Sequence, residues 1–335
     1  MSLPDCHALC CQALCASGLQ PSAATAVANV ITAAERDTAK SHGLFRLPGF
    51  CRSLRSGRVP GHVDLQIEER EGGSSILHLD GKGCFSPVAL AFGLPLLVDR
   101  AREHGIGILS LSGALHFSAL WWEAEEIAKA GLIGIVLVNS LAFVAPHGGR
   151  NRVFGTNPMA FSWPRPSGDI LVWDQASSVM ARGDITLHML EGKELPPGAA
   201  IDVEGRPTRD AATALKGAQC TFGGAKGSNI ALMVELLAAG LTGGTLSVDT
   251  QVPPEANHPG GAPTANGELL IAINPTRFPG GSDHAERLFE ALEAEAEWGA
   301  RLPSARRHAA RKRTEVDGIE VLQSTYDAIQ PMLQP

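Results

Sequence analysis

The sequence predicts a mixed α/β protein of about two domains. Three observations carry this. The chain has 335 residues, and domains commonly run to about 150. Between Ser74 and Ile273, short β-branched runs alternate with helical stretches. Both ends of the chain read as helix, with turn residues between the pieces.

The elements follow in order. Pro4 to Asp37 reads as helix, broken at Gly18 and restarted at Pro21. From Ser41 to Gly61, the residues Leu44, Leu47, Phe50 and Leu54 form a helical stripe despite Pro48, ended by Gly57 and Pro60-Gly61. Ser74 to Asp80 alternates like a strand, Gly81 to Cys84 turns, and Ser86-Pro87 opens a helix that runs to His104. Ile106 to Ser112 is a strand, Ser118 to Ala130 a helix closed by Gly131, and Ile133 to Asn139 a β-branched strand. Pro158 to Trp163 and Ile170 to Asp174 add two strands. Asn229 to Ala239 is an apolar helix, and Val252 to Asn266 is a Pro-, Gly- and Asn-containing surface loop. Glu268 to Ile273 is a strand, Ala285 to Ala300 a helix with an acidic face, and Pro303 to Pro335 a helical tail.

Composition narrows the function. Hydrophobic residues make up 44% and charged residues 19%, too much apolar content for disorder. The formal net charge of -7 argues against a general nucleic-acid binder. Basic residues do gather at Arg301, Arg306, Arg307, Arg311, Lys312 and Arg313. They read first as a solvated helix face and second as a site for an anionic ligand. The longest apolar run, Gly131 to Val138, is too short to span a bilayer. No basic segment precedes the apolar start of the chain, so no secretory signal is read there, and seven cysteines suit a reducing cytoplasm. Cys6 with Cys10, and Cys11 with Cys15, share helix faces. Packing is the expected role, and no metal site is expected.

A doubly wound dinucleotide enzyme carries G-x-G-x-x-G after a strand. The nearest match, Gly81-Lys82-Gly83-Cys84-Phe85-Ser86, lacks the third glycine and reads as a plain turn. No P-loop, HExxH or G-x-S-x-G motif is present. The informative features lie elsewhere. Ser41, His42 and Arg46 put a hydroxyl, an imidazole and a guanidinium within six residues. On a helix His42 and Arg46 would share a face. An imidazole can deliver a proton near neutral pH, and a guanidinium can hold a carboxylate by two parallel bonds. That set suits a small α-oxo or α-imino acid, although a surface His and Arg is the commoner reason for such a pair. Gly155-Thr156-Asn157-Pro158 marks a tight turn before a strand, and Thr156 either contacts a ligand or caps the turn. Asp174, ending a strand, and the Arg182-Gly183-Asp184 segment add carboxylates near small residues. Gly223 to Gly227 leads into a helix, where loop amides favour anions or simply turn the chain.

Taken together, SHGLFRLPGF, GTNPMAF, WDQASSVMARGD and FGGAKGSNIALMVELLAAGLTGG resemble the malate/L-lactate dehydrogenase family of NAD(P)-dependent oxidoreductases. The likeness runs from about Ala34 to Arg313. It implies a non-Rossmann α/β fold, with a mainly helical domain from residues 1–70 and 285–335 and a mixed, largely antiparallel sheet domain from 71–284. Within the family the chain is most similar to the imine-reducing branch, the Δ1-piperideine-2-carboxylate and Δ1-pyrroline-2-carboxylate reductases, on three details: His116-Phe117-Ser118-Ala119-Leu120-Trp121, the loop holding His147, and Asp184 where other branches tend to carry Lys. An extra carboxylate suits a cationic iminium, and a Lys suits a second anionic group.

The resemblance implies roles. His42 would be the proton donor, with Ser41 and Asp184 as its polar partners. Arg46, Thr156, Arg182 and Gly183 would meet the substrate. His116, Phe117, Ser118, Ala119, Leu120, Asp174, Gln175, Ala176, Gly224, Ala225, Arg301, Leu302, Pro303 and Ser304 would meet the cofactor, NADPH with NADH as second option. It further implies a homodimer sharing a cleft, a small-molecule substrate, and neither nucleic acid nor membrane as partner. Departures from the family pattern are Ala225 for a usual His, Gly113-Ala114-Leu115 for Asn-Ser-x, and Ser304 for Gly; they bear on cofactor preference more than on the reaction. Two rival readings stay open here: a malate, lactate or ureidoglycolate-type 2-hydroxyacid dehydrogenase, and a nucleotide-binding homologue without turnover.

Overall fold

The computed structural model describes residues 1–69, 72–115, 119–250 and 266–334. The main sheet has seven strands in the order β1-β2-β3-β10-β4-β5-β6. These are β1 (Ile67–Glu68), β2 (Ile76–Asp80), β3 (Ile106–Ala114), β4 (Ile133–Val138), β5 (Met159–Pro164), β6 (Ile170–Gln175) and β10 (Asn266–Ile273). Only β2 and β3 run parallel, joined through α4 (Ser86–His104); the other neighbours are antiparallel. The sheet is therefore mixed and largely antiparallel, as the family resemblance implies, and unlike a doubly wound sheet.

Strand β10 lies at the centre because its run of apolar residues tolerates burial on both faces. On one face α4 and α5 (Trp121–Lys129) bury Leu77, Leu79, Leu97, Leu109, Leu111 and Val136 with the Trp121 ring. On the other, α8 (Ala225–Glu235) and a π-helical turn over Leu236–Gly240 cover Leu137 and Leu269. The chain ends share a helical core: α1 (Leu3–Ala16), α2 (Pro21–Arg36) and α3 (Leu47–Arg55) pack with Ile319 and with Ile329 of α11 (Gln323–Ile329). A small lobe builds its own core from α6 (Arg182–Glu191), α7 (Ala211–Lys216) and the short sheet β8-β7-β9 (Pro207–Thr208, Ala200–Ile201, Ala218–Gln219). α9 (Glu286–Ala294) docks on the sheet through Phe289, which stacks under Arg165 with the guanidinium 4.8 Å from the ring centroid. No helix of the described residues is long and apolar enough to cross a membrane.

Several boundaries differ from expectation. The helix expected from Ser118 begins at Trp121, and the one expected at Asn229 begins at Ala225, directly on the glycine turn. The acidic helix breaks into a short 3-10 segment at Glu295–Trp298 and stops at Gly299, whose φ of +91° reverses the chain. The Ser41 stretch is not one helix. Two 3-10 turns, Lys40–His42 and Leu44–Arg46, are separated by Gly43 at φ −89°, ψ −143° and precede α3. Gly81 to Cys84 is the plain turn expected, closed by the Cys84 N–H donating to the Gly81 carbonyl at 2.8 Å. A register shift opposite Asn266 and Glu268 falls at Gly113, which takes φ +66°. This bulge redirects the end of β3 toward Leu115. His116, Phe117 and Ser118, and loop residues 251–265, lie outside the described residues. Cys6 and Cys10 pack in the helical core, while Cys15 faces out.

Candidate active site

The loop bearing Ser41, His42 and Arg46 is organised by Glu35, which the sequence reading passed over. Glu35 lies in the last turn of α2, nearly fully buried. Its Oε1 accepts the Leu44 N–H at 2.8 Å and its Oε2 accepts from Lys40 Nζ at 2.6 Å. Lys40 Nζ also donates to the Glu320 carbonyl at 2.6 Å, tying the loop to the C-terminal segment. A Cβ at Gly43 would lie 2.9 Å from Glu35 Cγ and nearer still to its carboxyl, so only glycine leaves this passage open.

The loop so held brings the expected pair together. Ser41 Oγ and His42 Nδ1 are 3.1 Å apart. His42 and Arg46 line one small cavity, walled by Val27, Val30 and Ile31 of α2, Phe50 of α3 and Pro87 of α4. Their convergence comes from two tight turns around Gly43, and not from a shared α-helical face. Burial pushes the His42 pKa down to about 4, and the nearby Arg46 charge adds to the effect. The imidazole is therefore neutral at neutral pH. Burial also lowers the Arg46 pKa, yet a guanidinium remains charged. Arg46 has no ion-pair or hydrogen-bond partner among the described residues. An unpaired cation between apolar walls is a site that asks for an anion.

A second group surrounds Thr156. Its Oγ1 lies 3.2 Å from Ser140 Oγ, and its N–H donates to the same oxygen at 2.9 Å. Gly155 is necessary there, since a Cβ would run into Ser140 and Asn157. Asn157, at φ +38°, donates to Glu235 Oε2 at 2.7 Å, and Glu235 also accepts from Asn139 and Ser247. This buried carboxylate fixes the turn from behind, and residues on four separate segments are needed to see it. Ser177 links the Thr156 carbonyl to the turn at Phe222, which leads to Gly224 and Ala225. The His147 ring faces Gly224, where a Cβ would come within 3.1 Å of it.

Three expected residues are placed less directly. Asp184 stands exposed on the first turn of α6. Although the residue as a whole is exposed, partial packing around its carboxyl pushes its pKa up, with His188, one turn on, pulling the other way. The charge acting on His42 is that of Arg46, so no contact of Asp184 with the imidazole is seen among the described residues. Arg182 is a buried pillar. Its guanidinium lies 3.9 Å from the Phe143 ring centroid and donates to the Leu215 carbonyl at 3.1 Å. Burial, then the Arg152 charge, lower its pKa to about 10. Gly183 is exposed beside open space.

Several of the expected cofactor residues lie on or beside the edge strand β6. Ala119 and Leu120 are buried just before Trp121. Asp174 is the penultimate residue of β6, before exposed Gln175 and half-buried Ala176. Burial raises the Asp174 pKa against the pull of Arg307. Arg301 to Ser304 leads into α10 (Ala305–Asp317). Ser304 occupies the left-handed region at φ +76°, and its hydroxyl donates to the Val172 carbonyl at 2.6 Å while accepting the Val172 N–H at 2.8 Å. One side chain thus closes the open edge of the sheet. Arg307 Nη2 donates to Asp174 at 3.2 Å, and the guanidinium lies 4.5 Å from the Trp121 ring centroid. Its Nη1 is buried without a hydrogen-bond partner among the described residues. Arg311 grips Asp37 at 2.8 and 2.7 Å and also pairs with Glu125. The basic C-terminal cluster is thus partly a structural clamp between α2, α5 and β6.

Comparison with known proteins follows this geometry. Residues 1–330 match the malate/L-lactate dehydrogenase family. The chain is 45% identical over 338 aligned residues to a Δ1-pyrroline-2-carboxylate reductase of Burkholderia multivorans, covering 99% of this chain and 97% of that one. It is 43% identical to a Δ1-pyrroline-2-carboxylate/Δ1-piperideine-2-carboxylate reductase of Pseudomonas aeruginosa, with 92% of each chain covered. The crystal structure of a Δ1-piperideine-2-carboxylate reductase from Pseudomonas syringae superposes with a TM-score of 0.91 at 38% identity, covering 99% of both chains.

Proposed function

The chain belongs to the malate/L-lactate dehydrogenase family of nicotinamide-dependent oxidoreductases, and from that premise we propose that it reduces cyclic imine carboxylates with NADPH. The reactions are Δ1-piperideine-2-carboxylate to L-pipecolate and Δ1-pyrroline-2-carboxylate to L-proline. The observation that carries this reading is the unpaired Arg46 guanidinium in one apolar-walled cavity with His42. A carboxylate on C2 of the ring would be held by Arg46, which fixes the face of C2 that is presented. The imine nitrogen would then take a proton from His42, whose Nδ1 is occupied by Ser41.

The residues around β6 fit a nicotinamide dinucleotide. The buried, unpartnered Nη1 of Arg307 beside Asp174 and Trp121 is a donor in want of an acceptor. Gly223 and Gly224, both at positive φ, leave the N-terminus of α8 open to a close approach. When bound, the reduced cofactor supplies the hydride equivalent that reduces C2. Arg307 and the 301–304 segment are proposed to hold it, with Asp174 and Ala119-Leu120 as neighbours. His147, facing Gly224, offers an imidazole near the place where Ala225 lacks one.

Among the described residues of one chain no bond joins the His42 group to Thr156. We therefore infer a homodimer whose cleft completes the site, with Thr156, Gly183 and Asp184 closing on bound substrate. Seven unpaired cysteines fit a cytoplasmic location. The test is NADPH oxidation measured side by side with Δ1-pyrroline-2-carboxylate, Δ1-piperideine-2-carboxylate and pyruvate. Turnover of both imines well above pyruvate is expected. Preference for pyruvate overturns the substrate assignment, and a clear preference for NADH overturns the cofactor assignment.

A further inference from the structure

Resting on that reading, we propose that the substrate recruits its own proton: docking of its carboxylate on Arg46 is what protonates His42, so the proton enters with the substrate and is not stored on the free enzyme. The cavity explains why. His42 and Arg46 share a space walled by aliphatic and aromatic side chains, where charges are poorly screened. The groups facing His42 are few. From α2 come the apolar Val27, Val30 and Ile31; from α3 and α4 come Phe50 and Pro87. Its own turn contributes Ser41 Oγ at 3.1 Å. Glu35 and Lys40 lie behind the loop but pair with each other at 2.6 Å. Asp37, the next nearby carboxylate, is held by Arg36 and Arg311. Among the described residues, Arg46 is therefore the one uncompensated charge acting on the imidazole.

With Arg46 bare, a proton on His42 is opposed first by burial and then by a like charge, which together hold the free imidazole at about 4. A carboxylate bound to the guanidinium offsets that like charge. The offset favours the imidazolium. The accounting closes: one proton passes from solvent to His42 as the imine carboxylate binds, moves from His42 to the imine nitrogen as C2 is reduced, and leaves the imidazole neutral for the next cycle. The amino-acid product keeps that proton.

The experiment is calorimetric titration of the full chain, in excess NADPH, with pyrrole-2-carboxylate, a planar carboxylate with no C=N bond to reduce. Repeating it in buffers of different ionisation enthalpy counts protons. If the offset charge lifts His42 from about 4 part of the way to the ordinary histidine value of about 6.5, uptake near pH 5.5 reaches a substantial fraction of a proton per site. It falls away by pH 7.5, and it vanishes in His42→Gln and with the neutral pyrrole-2-carboxamide. Binding of the carboxylate with uptake below about 0.2 proton near pH 5.5 overturns the proposal while leaving Arg46 as the carboxylate ligand. A second measurement needs no ligand: NMR titration of His42 in Arg46→Met, where the imidazole pKa is expected to rise. No rise overturns the proposal. A rise without any binding of pyrrole-2-carboxylate to the wild type overturns both the proposal and the carboxylate role of Arg46.

Discussion

The contact between Glu35 and Gly43 gives a prediction with a worked magnitude. In Gly43→Ala, φ at −89° tolerates an L-residue, so the obstacle is space: the new Cβ falls 2.9 Å from Glu35 Cγ and closer to its carboxyl. Glu35 must withdraw. It then abandons the Leu44 N–H, which is buried, and leaving a buried donor unsatisfied costs about 1–3 kcal/mol. It also loses Lys40, whose side chain is 50% exposed, so that pair adds only about 0–1 kcal/mol. Gly43→Ala should therefore cost about 1–4 kcal/mol. Glu35→Ala should cost about the same, since it removes the same bonds from the other side. The double variant should cost little more than Glu35→Ala alone, because the clash has gone. Urea unfolding at unchanged m measures all three. Costs that add within about 0.5 kcal/mol would refute the argument, because independence means the two residues do not compete for one space. Activity should follow: each single variant should lose on the order of 10²-fold in kcat/KM for Δ1-pyrroline-2-carboxylate, since the loop sets where His42 points.

Other perturbations test neighbouring links. His42→Ala should lower turnover about 10²-fold or more, the usual loss on removing a general acid; wild-type turnover rules out the role. The His42 pKa is depressed in the folded state, so the unfolded chain binds more protons between about 6.5 and about 4. Stability should accordingly rise with pH across that window and fall as pH drops through it, by on the order of 2–3 kcal/mol. His42→Gln should flatten that segment of a denaturation-against-pH curve, and an unchanged slope contradicts the buried neutral imidazole. Ser304→Ala should cost about 1–2 kcal/mol, since both Val172 groups lose their partner while the positive φ remains. Ser304→Gly should cost less because glycine relieves the backbone, and the opposite order in thermal melts would refute the edge-closing role. Arg307→Met should weaken NADPH binding, measured by fluorescence, more than it weakens binding of pyrrole-2-carboxylate; equal effects would place Arg307 outside the cofactor region.

The amino-acid sequence by itself determined the element types, the mixed character of the sheet's region, the plain turn at Gly81 and the family resemblance. These are local matters. Periodicity and glycine placement are written in consecutive residues, and motifs such as GTNPMAF survive as strings. It also determined which side chains can do chemistry: an imidazole and a guanidinium in SHGLFR are legible at once. Their convergence was legible for a reason that proved inaccurate. An α-helical face was inferred, and the two residues meet across a glycine break held open by Glu35. Only the tertiary structure decided that Glu35, Glu235 and Asp37 are the buried anchors behind the site: Glu235 and Asp37 are satisfied by donors far away in the chain, Asn157 and Arg311, and Glu35 by Leu44 and Lys40 only because the loop folds back over it. Likewise it decided that Arg182 packs as a pillar while Arg46 has no counter-ion among the described residues. Composition reports charges one by one, whereas pairing and burial depend on which distant segments the fold brings into contact. The energy of a charge is set by that company.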